Sequence, residues 1–177
     1  MPAVAAQQIE FTRVDEALVR QASDVMDLLT RNELGVVTAE SCTGGLLAAV
    51  LSEAPGASQW LHGGFVTYTA QNKTATLGVP TKLIQREGVV SEAVARAMAE
   101  GALARSPADM SVAITGVAGP EPDEFGTPVG IMHFAAARRG RPTQHIKRAF
   151  GDIGRGPNRY AAVREAMRLI ERAATRD

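Results

Sequence analysis

The segment from Ala39 to Gly45, Ala-Glu-Ser-Cys-Thr-Gly-Gly, is where this chain could carry chemistry. It follows an apolar run and precedes a helix-forming stretch, which is typical of a strand, a tight turn and a helix N-terminus. Such a corner would lift a hydroxyl out of the sheet and surround it with unpaired backbone N–H groups. Ser41 could then be a nucleophile next to an oxyanion or phosphate site. The alternative is a buried strand followed by an ordinary Ser- or Thr-capped helix.

Lys73 is the candidate base that could activate the serine. It lies just over one helical turn beyond Tyr68, and a lysine in a partly dry pocket can lower its pKa and accept a proton. Tyr68 could relay a proton or hold the amine. The alternative is a solvated helix lysine that follows a strand-ending tyrosine. The three histidines lie in or next to predicted strands, which does not favour a Ser-His-Asp triad: His62, His133 and His145.

A third segment, from Thr115 to Pro120, also follows an apolar strand and turns on glycines, the first of them Gly116. Strand ends meet at one edge of an α/β sheet, and ligands bind at that edge. We therefore expect Ser41 and Thr115 to face one crevice. The alternative is a simple Gly-Pro turn capped by Thr115.

Two arginines, Arg155 and Arg159, lie in and just after a glycine-rich stretch before the last predicted helix. A guanidinium is suited to bidentate recognition of phosphate or carboxylate. The alternative for either arginine is a solvated loop with no ligand.

Helical and strand patterns alternate along the chain, which predicts one α/β domain. We expect a three-layer α/β/α arrangement with a mixed, mostly parallel sheet, whose last two strands form an antiparallel hairpin. Residues 1–13 are predicted to be a mobile tail and residues 14–177 the domain. Predicted helices cover 14–32, 43–52, 70–77, 81–86, 91–105 (with Ser91 as N-cap) and 159–174; predicted strands cover 34–38, 63–68, 110–115, 129–137 and 144–150.

Composition limits the partners. Nineteen basic residues balance nineteen acidic ones, so we expect neither nucleic acid nor a membrane surface as a partner, despite a small basic patch at Arg138-Arg139-Gly140-Arg141. Cys42 is the single cysteine, which excludes an internal disulfide and is compatible with the cytoplasm. No cluster has the spacing of metal ligands.

The corner motif and the Thr115 segment resemble those of the nicotinamide-nucleotide amidohydrolases, the CinA C-terminal domain family. The resemblance covers about Val14 to Ala174. Its remaining motifs are Gly64-Phe65-Val66-Thr67-Tyr68 with Lys73, Leu77-Gly78-Val79, Gly88-Val89-Val90-Ser91, Pro128-Val129-Gly130 and Phe150-Gly151-Asp152.

This resemblance implies hydrolysis of the carboxamide of nicotinamide mononucleotide to nicotinate mononucleotide and ammonia. Ser41 would be the nucleophile, Lys73 would take its proton with help from Tyr68, and Thr115 would orient the reacting groups. Substrate contacts would come from Thr43, Gly44, Gly45, Gly116, Arg155 and, second to it, Arg159. The resemblance further implies a stand-alone cytoplasmic homodimer with a small-molecule nucleotide substrate and no cofactor or metal.

The chain departs from the family pattern in two places. The loop from Glu121 to Thr127 is acidic, carries an extra proline, and has Thr127 where the family commonly has lysine. Ile153 and Gly154 interrupt the common Gly-Asp-Arg run before Arg155. Carboxylates near an anionic substrate would repel it. Two alternatives therefore stay open: hydrolysis of a related amide without the phosphate, and a non-catalytic nucleotide-binding or partner-docking module linked to competence or DNA damage.

Overall fold

Helices and strands alternate along the computed structural model, which describes residues 15–175. The tail predicted for residues 1–13 lies outside the described residues. The helices are α1 (Glu16–Asn32), α2 (Leu46–Ser52), α3 (Ala57–Trp60), α4 (Ala70–Leu77), α5 (Thr81–Glu87), α6 (Glu92–Ala104) and α7 (Arg155–Ala174). The strands are β1 (Val36–Glu40), β2 (Leu61–Val66), β3 (Met110–Gly116), β4 (Ile131–Arg138) and β5 (Gln144–Ala149).

The five strands form one sheet in the order β2-β1-β3-β4-β5. β1 pairs in parallel with β2 and β3, whereas β4 is antiparallel to both β3 and β5. Four strands therefore share one direction and β4 alone opposes them, which confirms the mixed, mostly parallel sheet and the terminal hairpin. The parallel register sets Glu40 opposite Ile114, so the carboxyl ends of β1 and β3 lie side by side.

Helices cover both faces of the sheet because successive strand residues point to opposite sides. Val36 and Val112 belong to a core shared with α1, α2 and α7, whereas Val37 and Ala113 belong to a core shared with α6. The strand residues on the α6 side are mainly small, which lets that helix approach the sheet closely. The predicted three-layer α/β/α architecture is confirmed.

Most predicted elements are present, with shifted ends. Ser91 caps α6 as predicted, its Oγ accepting from the Val94 amide at 3.3 Å. The prediction for α7 was wrong at its start, because the helix begins at Arg155, four residues earlier. Gly154 adopts a φ of 91° before the helix, and Pro157 sits in the first turn, where a backbone N–H is not needed.

Candidate active site

A cavity of about 210 Å³ opens at the carboxyl ends of β1 and β3. It lies at the sheet edge where ligands bind in open α/β folds. Its lining comes from five segments: Ser41 and Cys42, Tyr68 and Lys73, Val89 and Val90, Thr115 to Gly119 with Glu121 and Asp123, and Arg155. The expected meeting of Ser41 and Thr115 at one crevice is thus present.

Ser41 and Lys73 form a direct pair in this cavity. The Lys73 Nζ atom donates to Ser41 Oγ at 2.8 Å and to the backbone oxygen of Thr67 at 2.9 Å. The Lys73 side chain comes from α4, whose first turn is capped by Thr69, and only 1% of the residue is exposed. The solvated-helix alternative for Lys73 is therefore wrong.

Burial makes it easier for Lys73 to lose its proton. Loss of water around the ammonium lowers the pKa of Lys73 to about 8, against an opposing effect of the nearby Cys42 thiol. About a tenth of the amine is then neutral at pH 7 and about half at pH 8, and the neutral form has a lone pair that can accept the serine proton. The contact with Thr67 can hold the amine in place during that transfer.

Cys42 is a cavity residue to which the sequence analysis gave no role in the site. Burial raises the pKa of its thiol to about 11, although Lys73 acts in the opposite direction. The thiol stays protonated at neutral pH, and protonated thiols are poor nucleophiles. Of the two neighbouring side chains, Ser41 rather than Cys42 is therefore the candidate nucleophile.

The buried carboxylate of Glu40 organises the corner that presents Ser41. Glu40 is fully buried, and its two oxygens accept from the amides of Gly45 (3.1 Å), Leu47 (3.0 Å) and Ala48 (2.9 Å). The Thr38 hydroxyl adds a contact at 3.2 Å. A carboxylate at a helix N-terminus accepts hydrogen bonds from backbone amides that have no partner within the helix, and its negative charge is stabilised by the helix dipole.

This cap corrects the predicted substrate contacts of the corner. The Gly45 amide is bound to Glu40, and the Gly44 amide donates to the backbone oxygen of Ser41 at 3.0 Å. Thr43, Gly44 and Gly45 do not line the cavity. They frame the turn, with φ values of 63° and 92° at the two glycines. The expectation of free amides was therefore wrong for Gly45, whose amide the Glu40 side chain binds, and for Gly44, whose amide binds a backbone oxygen.

Tyr68 and Arg155 form the open side of the cavity. The Arg155 guanidinium donates to the Tyr68 hydroxyl at 2.7 Å and to the backbone oxygen of Gly119 at 2.6 Å. Tyr68 is 55% exposed, and its hydroxyl is bonded to this arginine rather than to Lys73. Arg155 is therefore held at the mouth, where it can meet an anionic group of a ligand.

Arg159 lies one turn further along α7 and contacts the turn that presents Ser41. Its Nη2 donates to the backbone oxygen of Thr43 at 2.7 Å, and it does not line the cavity. Its predicted role as a second substrate contact is corrected to support of the Ser41 turn. Arg155 thus lies at the cavity, and Arg159 lies behind the turn that contains Thr43.

Thr115 and Gly116 shape the floor of the cavity. The buried Thr115 hydroxyl donates to the backbone oxygen of Val89 at 2.7 Å, tying β3 to the segment before α6. A Cβ atom at Gly116 would come within 2.9 Å of the Ile131 oxygen, so glycine is needed for close pairing with β4. Thr115 and Gly116 therefore form part of the cavity wall and hold β3 against the segments beside it.

The acidic loop also reaches the cavity. Glu121 and Asp123 are lining residues, whereas Glu124 and Phe125 lie along a separate groove against α4 and α5. The sequence showed that the loop was acidic, but not which carboxylates point inward.

Comparison with known proteins places the chain in a family. The family model for the CinA C-terminal domain matches residues 19–174. The chain belongs to the CinA C-terminal domain family. A CinA-like protein of Mycolicibacterium vanbaalenii is 46% identical over 171 residues, which cover 94% of this chain and 38% of that protein.

Solved structures of CinA proteins share the fold. The competence/damage inducible protein CihA from Agrobacterium tumefaciens has a TM-score of 0.88 at 40% identity, covering 94% of this chain and 100% of that one. A CinA superfamily protein from Escherichia coli has a TM-score of 0.83 at 36% identity, covering 90% and 94%. Among curated CinA relatives, this chain spans between 26% and 41% of their length.

Other charged groups of this CinA domain have internal partners. In the basic patch, Arg138 donates to the Ala173 oxygen at 2.8 Å and Arg139 to the Ala108 oxygen at 2.9 Å, near the ends of α7 and α6. Within residues 15–175, no group of three or more histidine, cysteine or acidic side chains could hold a metal ion. No helix in the same range is long and apolar enough to cross a membrane.

Proposed function

We propose that this CinA domain is an amidohydrolase that uses a Ser41–Lys73 pair, and that its substrate is nicotinamide mononucleotide. The observation that carries the reaction class is the 2.8 Å contact between Lys73 Nζ and Ser41 Oγ inside a cavity. A buried lysine with a lowered pKa is a suitable base for a serine that has no histidine partner.

The chemical steps follow from this pair. Neutral Lys73 takes the proton of Ser41 as Oγ attacks the carboxamide carbon. The tetrahedral intermediate then expels ammonia, which receives its proton from the Lys73 ammonium, and leaves an acyl-enzyme. Water then attacks the acyl carbon as Lys73 accepts its proton. The C–Oγ bond breaks, the Lys73 ammonium returns the proton to Ser41 Oγ, and the carboxylic acid is released.

The size of the cavity bears on how a nucleotide would sit. At about 210 Å³ it is smaller than the roughly 300–1,000 Å³ typical of sites for drug-sized ligands. The nicotinamide ring and its carboxamide would lie inside, and the ribose phosphate would extend toward the mouth. Arg155, exposed at that mouth, would contact the phosphate.

The acidic loop favours a second candidate, a nicotinamide compound without the phosphate. Glu121 and Asp123 would disfavour an anionic group placed deep in the cavity. Turnover of the mononucleotide and of nicotinamide riboside at matched concentrations separates the two. A preference for the mononucleotide supports the phosphate contact at Arg155, and a preference for the riboside contradicts it.

The test of the proposed function is ammonia release from nicotinamide mononucleotide by purified protein, with Ser41→Ala as the blank. Release that disappears in the variant supports the proposal. Absence of release from the mononucleotide and from the riboside would contradict it, and would favour a binding-only module of the kind suggested by the competence/damage names of its relatives.

A further inference from the structure

The acidic loop holds one carboxylate in a fixed position at the cavity. Asp123 Oδ1 accepts from the amides of Phe125 (3.1 Å) and Thr127 (2.7 Å), which locks the side chain into the turn. Its other oxygen, Oδ2, is buried and has no hydrogen-bond partner in the described part of the chain. Burying a carboxylate oxygen without a partner costs free energy. That cost is relieved if a ligand in the cavity brings a positive charge near the carboxylate.

The charges that line the cavity favour a cation. When Lys73 is neutral, as its role as base requires, the remaining charged groups are the Arg155 guanidinium and the carboxylates of Glu121 and Asp123. Arg155 is at the mouth and already donates to Tyr68 and Gly119. The two carboxylates therefore outweigh one partly engaged cation, and the sum of these charges is negative.

We propose that Glu121 and Asp123 determine specificity by selecting carboxamides whose ring carries a positive charge. This inference rests on the proposed function and deepens it, because a nicotinamide ring joined to ribose through its nitrogen is a pyridinium cation. The carboxylates stabilise that charge while the carboxamide faces Ser41. A neutral ring of the same shape forfeits this attraction.

Ligand binding to the Ser41→Ala protein tests the selection without requiring turnover. One probe is nicotinamide methylated on its ring nitrogen, which is a cation, and the other is nicotinamide, which is neutral. Both are titrated at about pH 9, where Lys73 is mainly neutral, and dissociation constants are obtained by protein-detected NMR. We expect the cation to bind roughly three- to tenfold more tightly.

Three matched variants in the same background assign the effect to the loop. Glu121→Gln and Asp123→Asn are each expected to reduce the preference for the cation by about two- to fivefold. Asparagine retains an oxygen for the Phe125 and Thr127 amides, so the turn is preserved. Glu124→Gln removes a neighbouring charge outside the cavity and is expected to leave the preference unchanged.

The outcomes separate this inference from the proposed function. Equal binding of the two probes, or an equal response to all three loop variants, overturns the inference even if the mononucleotide is hydrolysed. Selective binding that depends on Glu121 and Asp123 supports the inference even if no ammonia is released, in which case the proposed amidohydrolase function fails and the charge selection stands. If neither probe binds at concentrations up to its solubility limit, the cavity does not select a cationic ring and the inference is overturned.

The wild-type enzyme gives a second readout. The ratio of kcat/KM for nicotinamide mononucleotide to that for its reduced form, whose ring is neutral, is expected to fall about two- to fivefold in Glu121→Gln. Comparing this ratio between variants cancels the intrinsic difference in reactivity of the two rings. An unchanged ratio contradicts the inference.

Discussion

Two hydrogen-bonded side-chain pairs in this protein each contain a group with a lowered pKa, but only one of them lies at a cavity. Lys73 and Ser41 are 2.8 Å apart at the cavity, and His133 Nδ1 and His145 Nε2 are 3.0 Å apart on the terminal hairpin, where His145 also lies 3.3 Å from Glu92. Burial lowers the pKa of Lys73 to about 8 and the pKa of His133 to about 4. Neither histidine lines the candidate cavity. A perturbed pKa therefore indicates a site only where a ligand can reach it.

The two pairs should respond to pH in different ways. The lysine exchanges its proton near the pH at which enzymes work, so its state can control a reaction. His133 stays neutral throughout that range and exchanges its proton only in acid. We therefore expect pH to act on activity through Lys73 and on stability in acid through His133.

The largest expected effect comes from removing either member of the cavity pair. Ser41→Ala and Lys73→Met should each lower kcat for ammonia release by about 10³-fold or more, because nucleophile and base act as one unit. The double variant should lose little beyond either single one. The matched control is His145→Asn, expected to stay within about twofold of wild type. Substantial ammonia release by the Lys73→Met variant would contradict the Ser–Lys mechanism.

The next effect is the pH dependence of the reaction. The neutral amine is the active form, so kcat/KM should fall about tenfold for each pH unit below the pKa of Lys73, near 8, and level off above it. The profile is measured from about pH 6 to 10 with His145→Asn in parallel, and the two curves should coincide. A midpoint near 6.5, or a midpoint that shifts in the histidine variant, would assign the base to another group.

A smaller effect is expected from the carboxylate that supports the cavity pair. Glu40→Gln replaces an acceptor for three amides with a neutral group that keeps one oxygen, which should lower the free energy of unfolding by about 1–3 kcal/mol. Denaturant titration measures this, with Glu53→Gln at the exposed end of α2 as the control. Equal stability of both variants would mean that the cap is dispensable.

The last effect is confined to acid, belongs to the histidine pair and concerns stability. Burial is the main cause of the lowered pKa of His133, with His145 and Lys147 adding to it and Glu92 opposing it. Between about pH 6.5 and 4 the unfolded chain binds a proton that the folded chain does not, so stability falls as pH falls through this window. The loss attributable to His133 across this window should be about 3 kcal/mol.

His133→Asn should flatten this acid loss, while activity near pH 8 stays within about twofold of wild type. Thermal unfolding across the acid window measures the first quantity, and ammonia release the second. An unchanged slope with pH would show that His133 keeps its ordinary pKa, and the contrast between the two pairs would fail.

Much of the fold was predictable from local pattern. The end of the helix at Ala70–Leu77 follows from the Gly78 that stops it, and the start of α6 follows from the cap at Ser91, so both depend on residues close in sequence. The predictions failed where a distant or unusual partner decided the outcome. The start of α2 moved because Gly44 and Gly45 adopt positive φ values in a turn whose amides Glu40 binds, and the start of α7 moved because Gly154 adopts a positive φ.

The site was predictable in part for the same reason. Ser41 and Thr115 each follow a buried strand, and strand ends share an edge, so their meeting follows from topology. Whether Lys73 reaches them, and which loop carboxylates turn inward, depends on how α4 and the loop pack. A signal for Glu40 did exist, since a carboxylate that ends an apolar strand before a helix needs buried partners.

By itself the sequence determined the alternation of helices and strands, the corner that presents Ser41 and the family to which the chain belongs. Only the tertiary structure decided that Lys73 is buried against Ser41, that Glu40 occupies the amides of α2, and that Arg155 rather than Arg159 faces the cavity. The physical reason is that periodicity and capping are local, whereas burial, pKa and hydrogen-bond pairing depend on which segments share a low-dielectric space.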